Sequence, residues 1–502
     1  MSAAVASGER LRLEDLTVEA LRGRRVAVLG FARSGLALAR FLADAGARVT
    51  VYDRRSREEL GEQVEALEGR PAELLLGPEV DPAAALAGQE LVTTSPSVSA
   101  RYPTTEARLR EALARVEADG LVPVVGEVDL FLRLCPATTV GVTGTTGKTT
   151  TASLAAAVLE AGDRRVWLGG NIGVPLIERV TEMAPRDRVV VELSELQLPT
   201  LSRATDVAVY TNVTADHLDR HGSLTAYRGA KSRLAALTGR AGGLLVLNDD
   251  DPFVAALGDR ASAGRPGEGG RGWPGRPVCR YALGRVPEGG VGVADGWIAA
   301  EGIGLLIPVA EVPLPGAHNL GNVLAAVAVG LHFGVPVEGV RAAVRAFSGV
   351  EHRLETVATI GGITFVNDSM GTQPDAVTAA LRAFDAPIVL IAGGREKGVD
   401  LGPLAVEVAA RAYGVVLLGE SATRFEQLFR GAGVRRMERA SDMGGAVRLA
   451  AAMAREARRG DDRATVLLSP AAASFDMFED YAARGRAFRD AVAALAVRKG
   501  RP

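Results

Sequence analysis

Cysteine is almost missing from this chain of 502 residues, with only Cys135 and Cys279 present. Two thiols cannot build a disulfide framework, and neither stands in a Cys-x-x-Cys or Cys/His spacing. A zinc site is therefore not expected, and a reducing compartment is. Long apolar runs are missing too. The most apolar stretch, "NVLAAVAVGLHFGVPV" at residues 322–337, is broken by Asn322, His332 and two glycines, so it reads as a buried helix rather than a membrane span. The first residues, "MSAAVASGERLRLEDL", carry charges where a secretory leader needs its apolar run, and a cytoplasmic location is expected. Net charge is −2, without the basic excess of a nucleic-acid binder, so neither a nucleic-acid nor a membrane partner is expected. What remains is a soluble composition, 47% hydrophobic and 24% charged, in a chain long enough for two to four domains.

Alternating strand and helix signals fill most of that length. "RRVAVLGFARSGLALARFLADAGARVTVYD" at residues 24–53 reads as strand, glycine turn, helix and strand, ending at Asp53. It opens like a dinucleotide fold, yet the turn from Gly30 to Gly35 lacks the middle glycine of that fingerprint. A second series follows: "TTVGVTG", "DRVVVELSE", "DVAVYTNVT" and "GGLLVLNDDD". Residues 259–277, rich in Gly, Arg and Pro, read as a surface loop. A third series, "ITFVNDS", "PIVLIAGG", "GVVLLGES" and "ATVLLSP", begins near His352. The expected fold class is α/β with mostly parallel sheets. Three domains are expected: residues 1–136, Rossmann-like; residues 137–349, with the P-loop; and residues 350–502, Rossmann-like. No repeat of fixed period is evident.

Chemistry concentrates in "GVTGTTGKTTTASLAAAVLEAG" at residues 141–162. Gly144-Thr145-Thr146-Gly147-Lys148-Thr149-Thr150 has the Gly-Lys-Thr order of a phosphate cradle, although Val142 stands where the template has its first glycine. Glycines let backbone amides converge on an anion, and the helix that follows offers its positive end. Lys148 suits phosphate oxygens and the Thr149 hydroxyl suits Mg²⁺. Glu192 and His217 each follow an apolar strand, and ligands gather at such strand ends, so both are candidate Mg²⁺ ligands. Asp216 and Asp219 read equally well as helix caps.

Together these stretches resemble the Mur ligase family, and within it the D-glutamate-adding branch. The likeness is carried in order by "TGTTGKTT", "GGNIGVPL", "VELSELQL", "NVTADHLDRHGSLTAYRGAK", "LPGAHNLGNVLAA", "HRLE", "NDS", "GGREKGVD" and "LLSPAAASFDMFEDYAARG". The resemblance implies ATP-dependent ligation of D-glutamate to UDP-N-acetylmuramoyl-L-alanine through an acyl phosphate, in a monomer. It also assigns UDP-sugar binding to the first expected domain, ATP binding to the second and amino-acid binding to the third. It implies two Mg²⁺ ions, held by Thr149, Glu192, His217 and a carbamylated Lys231, which without the resemblance is a solvated helical lysine. Lys148, His217 and Lys231 become the catalytic set. Asn171, Asn322 and Arg353 fall on nucleotide-contacting positions, and Asp368 on a ribose contact. Ser34, Arg54 and Ser95 fall where the family grips the UDP portion. Thr372, Lys397, Ser474 and Tyr481 fall near the incoming amino acid.

The chain departs from the family pattern at Thr146, Glu195, Met370 and Gln373. Met370 stands where many relatives have a lysine that helps hold the glutamate carboxylate, which makes an L-glutamate-adding ligase the first alternative. A folylpolyglutamate synthase-like ligase is a more distant one. A nucleotide-regulated scaffold is a third, without turnover.

Overall fold

The computed structural model describes residues 10–214, 221–262, 277–314, 316–384, 387–395, 400–458, 463–474 and 476–499. The chain divides into two compact units, Met1–Phe347 and Ser348–Pro502. The first unit holds two sheets.

Its first sheet contains β1 (Arg25–Leu29), β2 (Arg48–Asp53), β3 (Ala72–Leu76), β4 (Leu91–Thr94) and β5 (Val124–Gly126). The order is β3-β2-β1-β4-β5 and every pairing is parallel. The order reverses between β1 and β4, so the turns after these two strands face a crevice where ligands can lie. Helix Arg33–Asp44 forms because Leu38, Phe41 and Leu42 place an apolar stripe against the sheet.

The second sheet contains β6 (Thr138–Thr143), β7 (Val166–Gly170), β8 (Arg188–Glu192), β9 (Val207–Tyr210) and β10 (Leu244–Asn248). It continues with β11 (Val278–Ala282), β12 (Val291–Ala294), β13 (Trp297–Ala300) and β14 (Gly304–Pro308). The order is β14-β13-β12-β11-β10-β9-β6-β8-β7. Only the β12-β13-β14 end is antiparallel. Strand β6 lies between β8 and β9, so its exit turn is flanked by both of theirs. β8, β9 and β10 are nearly continuous apolar runs, as burial on both faces demands. Helix Lys148–Glu160 packs against helix Ala317–His332; a methyl at Gly330 would strike Val158, so the small residue permits the contact. Residues 322–330 are fully or nearly fully buried, as the apolar stretch predicts.

The second unit has one sheet: β15 (Glu355–Ile360), β16 (Ile363–Asn367), β17 (Ile388–Ala392), β18 (Ala412–Leu417), β19 (Met437–Arg439) and β20 (Ala464–Leu468). The order is β15-β16-β20-β17-β18-β19, with β15 alone antiparallel. β16, β20 and β17 therefore present their exit turns side by side.

One expectation needs correction. Residues 259–262 are not loop but the end of helix Pro252–Ser262, and residues 263–276 lie outside the described part. Among the described residues no helix is long and apolar enough to cross a membrane.

Candidate active site

The turn after β6 is built around two glycines. Gly144 and Gly147 both have positive φ, +152° and +80°, so their left-handed backbone favours glycine. A side chain at Gly144 would strike Thr211, and one at Gly147 would strike Asn322. The turn is fastened from below by the residues after β9. Thr145 N donates to Asn212 O at 2.7 Å, Thr146 N to Asn212 Oδ1 at 3.0 Å, and Thr211 Oγ1 to Thr146 O at 2.6 Å. Thr145 Oγ1 lies 2.9 Å from the Tyr227 hydroxyl. Thr211, Asn212 and Tyr227 are site residues that the sequence reading did not pick out. Its rule that polar residues after strands carry the chemistry applies to the first two.

Lys148 begins the helix, and its Nζ donates to Gly144 O at 3.1 Å and Thr145 O at 2.7 Å. The ammonium is thus held over the loop by carbonyl oxygens, which phosphate oxygens can replace. Thr149 is buried at the helix start and Thr150 follows it, half-buried. Asn322 accepts from Thr151 Oγ1 at 3.1 Å through its Oδ1, which places it beside the helix start.

Glu192 ends β8 abreast of Val142 in β6, two residues before Gly144. It is 1% exposed. Asn171 Nδ2 donates to its Oε1 at 2.8 Å, whereas its Oε2 is buried with no hydrogen-bond partner among the described residues. A carboxylate oxygen sealed from water and left unbonded is costly, and a bound cation would satisfy it. Lys231 is not the solvated lysine that an isolated helical position suggests. It is 0% exposed, and its Nζ donates to Gly144 O at 2.8 Å, with Thr143 Oγ1 at 3.4 Å. The structure thus gathers Lys148, Thr149, Glu192 and Lys231 around one turn. Among the described residues no three His, Cys, Asp or Glu side chains gather. His217, with Asp216 and Asp219, lies outside the described residues.

In the same unit, Ser34, Arg54 and Ser95 follow three neighbouring strands, β1, β2 and β4. Ser95 is buried and donates from Oγ to Gly30 O at 3.0 Å, while Arg54 is exposed. The carboxylate of Asp53, at the end of β2, accepts from Phe31 N at 2.7 Å, Arg55 N at 3.0 Å, and the Arg55 guanidinium at 2.8 and 3.0 Å. Burial pushes its pKa up, but the bonds to Arg55 and Phe31 outweigh that and hold it below the ordinary value.

The second unit carries its own cluster. Asp368 accepts from Ser469 Oγ at 2.6 Å and from Leu354 N at 3.3 Å. Burial raises its pKa to about 6, against the opposing pull of Ser469 and Arg353. Thr372 follows in the same turn, its N–H donating to Met370 O at 2.8 Å. Ser474 is buried, and Tyr481 packs edge-on to His352. Arg484, which the sequence reading passed over, is 1% exposed beneath this cluster. Lys397 lies outside the described residues.

Comparison with known proteins identifies the family of the chain. Residues 142–264 match the Mur ligase middle domain, and residues 352–472 the Mur ligase glutamate ligase domain. Over 94% of its length the chain is 40% identical to the UDP-N-acetylmuramoylalanine--D-glutamate ligase of Symbiobacterium thermophilum, covering 98% of that protein. Over 95% of its length it is 38% identical to the ligase of the same name from Pelotomaculum thermopropionicum, covering 98% of that one. Among solved structures, UDP-N-acetylmuramate-alanine ligase MurC from Thermotoga maritima shares the fold, with a TM-score of 0.51 at 17% identity, 94% of this chain and 100% of that chain being covered.

Proposed function

The chain belongs to the Mur ligase family, and from that premise we propose that it joins D-glutamate to UDP-N-acetylmuramoyl-L-alanine with cleavage of ATP, a step of peptidoglycan precursor synthesis. The observation that carries the chemistry is the buried Glu192 oxygen, without a hydrogen-bond partner among the described residues, close to a glycine turn whose lysine donates to the turn's own carbonyls. The amino acid is that of the relatives' names.

A carboxylate is a poor electrophile and must be activated first. The alanyl carboxylate oxygen attacks the γ-phosphorus of ATP; the bond to the bridging oxygen breaks, and ADP leaves with that electron pair. The resulting acyl phosphate is attacked by the uncharged amine of glutamate. The tetrahedral intermediate loses a proton and expels inorganic phosphate, leaving the amide. Lys148 trades the Gly144 and Thr145 carbonyls for phosphate oxygens and offsets the repulsion between carboxylate and triphosphate. The amides of the turn fix the phosphates, and Asn322 supports Gly147 and Thr151 from the neighbouring helix.

The donor set fits magnesium. Glu192, Thr149, His217 and Lys231 would hold it, and when bound it supplies charge neutralisation at the transferring phosphoryl group. Lys231 serves as an oxygen donor once its amine has added CO₂ and released a proton, giving a carbamate. Its remaining N–H can continue to donate to Gly144 O, as the amine now does. In the first unit, Ser34, Arg54 and Ser95 take the UDP portion. In the second, Arg353 and Asp368 contact the nucleotide, while Thr372, Lys397, Ser474 and Tyr481 receive glutamate. The enzyme acts as a monomer in the cytoplasm.

The test is to incubate the protein with ATP, UDP-N-acetylmuramoyl-L-alanine and either glutamate enantiomer, following ADP and product. Product with D-glutamate is expected. Product with L-glutamate alone would replace the reading by its L-specific counterpart, and Met370 is the residue that keeps this comparison necessary. ADP release that depends on folate and ignores the UDP-sugar would reject both.

A further inference from the structure

Arg484 is a buried guanidinium for which no carboxylate among the described residues forms a hydrogen bond. It enters from helix Tyr481–Lys499 and is 1% exposed. Its Nε reaches Ser369 Oγ at 3.0 Å, one terminal nitrogen reaches Ser369 O at 2.9 Å, and the other reaches Ala472 O at 3.1 Å. All three acceptors are neutral. A methyl on Gly394 would come within 3.2 Å of the same guanidinium. Ser369, Ala472 and Gly394 follow β16, β20 and β17, which are adjacent in the sheet. The cation therefore sits under the carboxyl ends of three neighbouring strands, where ligands bind in sheets of this kind. Asp476 acts on it through space without bonding to it, and burial lowers its pKa to about 10.

A guanidinium buried without a bonded anion is destabilising, and neutral carbonyls recover only part of its lost hydration. Resting on the reading that these turns receive the amino acid, we propose that Arg484 is the positioning residue of the amino-acid site. Its fork locks the Ser369 and Ala472 turns in register, and its charge makes their cleft favour a dicarboxylic amino acid. The substrate's carboxylate would act on this charge across the turns.

The experiment is steady-state kinetics on the full-length protein with ATP, the UDP-sugar acceptor and glutamate each varied, in Arg484→Met, Arg484→Lys and Ser474→Ala. Arg484→Met should raise the glutamate KM about tenfold or more while the other two KM values move less than about twofold. Arg484→Lys, which keeps the charge but not the fork, should recover part of that loss. A purely structural arginine would move all three constants together or none of them, and either result overturns the proposal. Should Arg484→Met fail to fold, Ser369→Ala decides: its effect on the glutamate KM should vanish in the Arg484→Lys background, and additive effects overturn the proposal. Ser474→Ala separates the two readings. If it raises the glutamate KM while Arg484→Met does not, only this inference fails. If neither moves it, the placement of the amino acid fails as well.

Discussion

Asn171 donates its side-chain amide to one oxygen of Glu192 at 2.8 Å, and the other oxygen of the same carboxylate is buried with no hydrogen-bond partner among the described residues. One residue thus orients the carboxylate and leaves a single lone-pair face for a ligand. Asn171→Ala should raise the Mg²⁺ concentration for half-maximal ligation by about 10–100-fold, the usual cost of losing an orienting partner. Titration of activity against Mg²⁺ checks this, and an unchanged curve would remove Glu192 from the cation site.

Lys148→Ala should lower the ligation rate by about 10²–10³-fold, the scale for losing one preorganised donor to a developing charge. The helix it begins is anchored by eight buried residues, so the circular dichroism spectrum should be unchanged. Full activity in the variant would reject the phosphate role.

If Lys231 carries the proposed carbamate, Lys231→Ala should abolish ligation, and short carboxylic acids added to the assay should restore part of it by standing in for that group. The buried position of Lys231 makes this rescue selective for small acids. A variant indifferent to acids of every size would argue that the lysine serves only to hold Gly144.

Glu127 begins helix Glu127–Leu134, 3% exposed. Burial raises its carboxyl from 4.5 to about 7, against the pull of Arg33. The folded state then holds a proton that the unfolded state has released across this window. Stability from this group is full below about pH 4.5 and declines as pH rises to about 7. Glu127→Gln removes the titration, so its thermal midpoint relative to wild type should climb between those pH values and then level off. A difference that stays flat with pH would sink this assignment.

Much of the architecture could be read in the sequence because parallel strands buried on both faces are continuous apolar runs. The runs at β8, β9, β10, β16, β17, β18 and β20 are all of this kind. The antiparallel end of the second sheet was not legible, since β13 and β14 are four and five residues long and partly exposed. β19, with three residues reading Met-Glu-Arg, carries no local signal; its pairing with β18 makes it a strand. At the site, Lys148 and Thr149 follow from a contiguous motif, and Glu192 from its place after a strand. The burial of Lys231 and Arg484 is a tertiary outcome: both lie on helices whose neighbours in sequence look solvent-facing. Only the packing of Tyr227, and of the turns after β16 and β20, reveals them.

The internal ties of Asp53 have a consequence for cofactor choice. In a redox enzyme of the same sheet order, the acid closing the second strand is available to the adenosine ribose of a nicotinamide dinucleotide. Here that carboxylate already accepts from Phe31 and is gripped twice by the Arg55 side chain, so such a guest would have to evict a charged neighbour before it could bind. The arginine two residues downstream thus occupies the carboxylate oxygens that such a ribose would use.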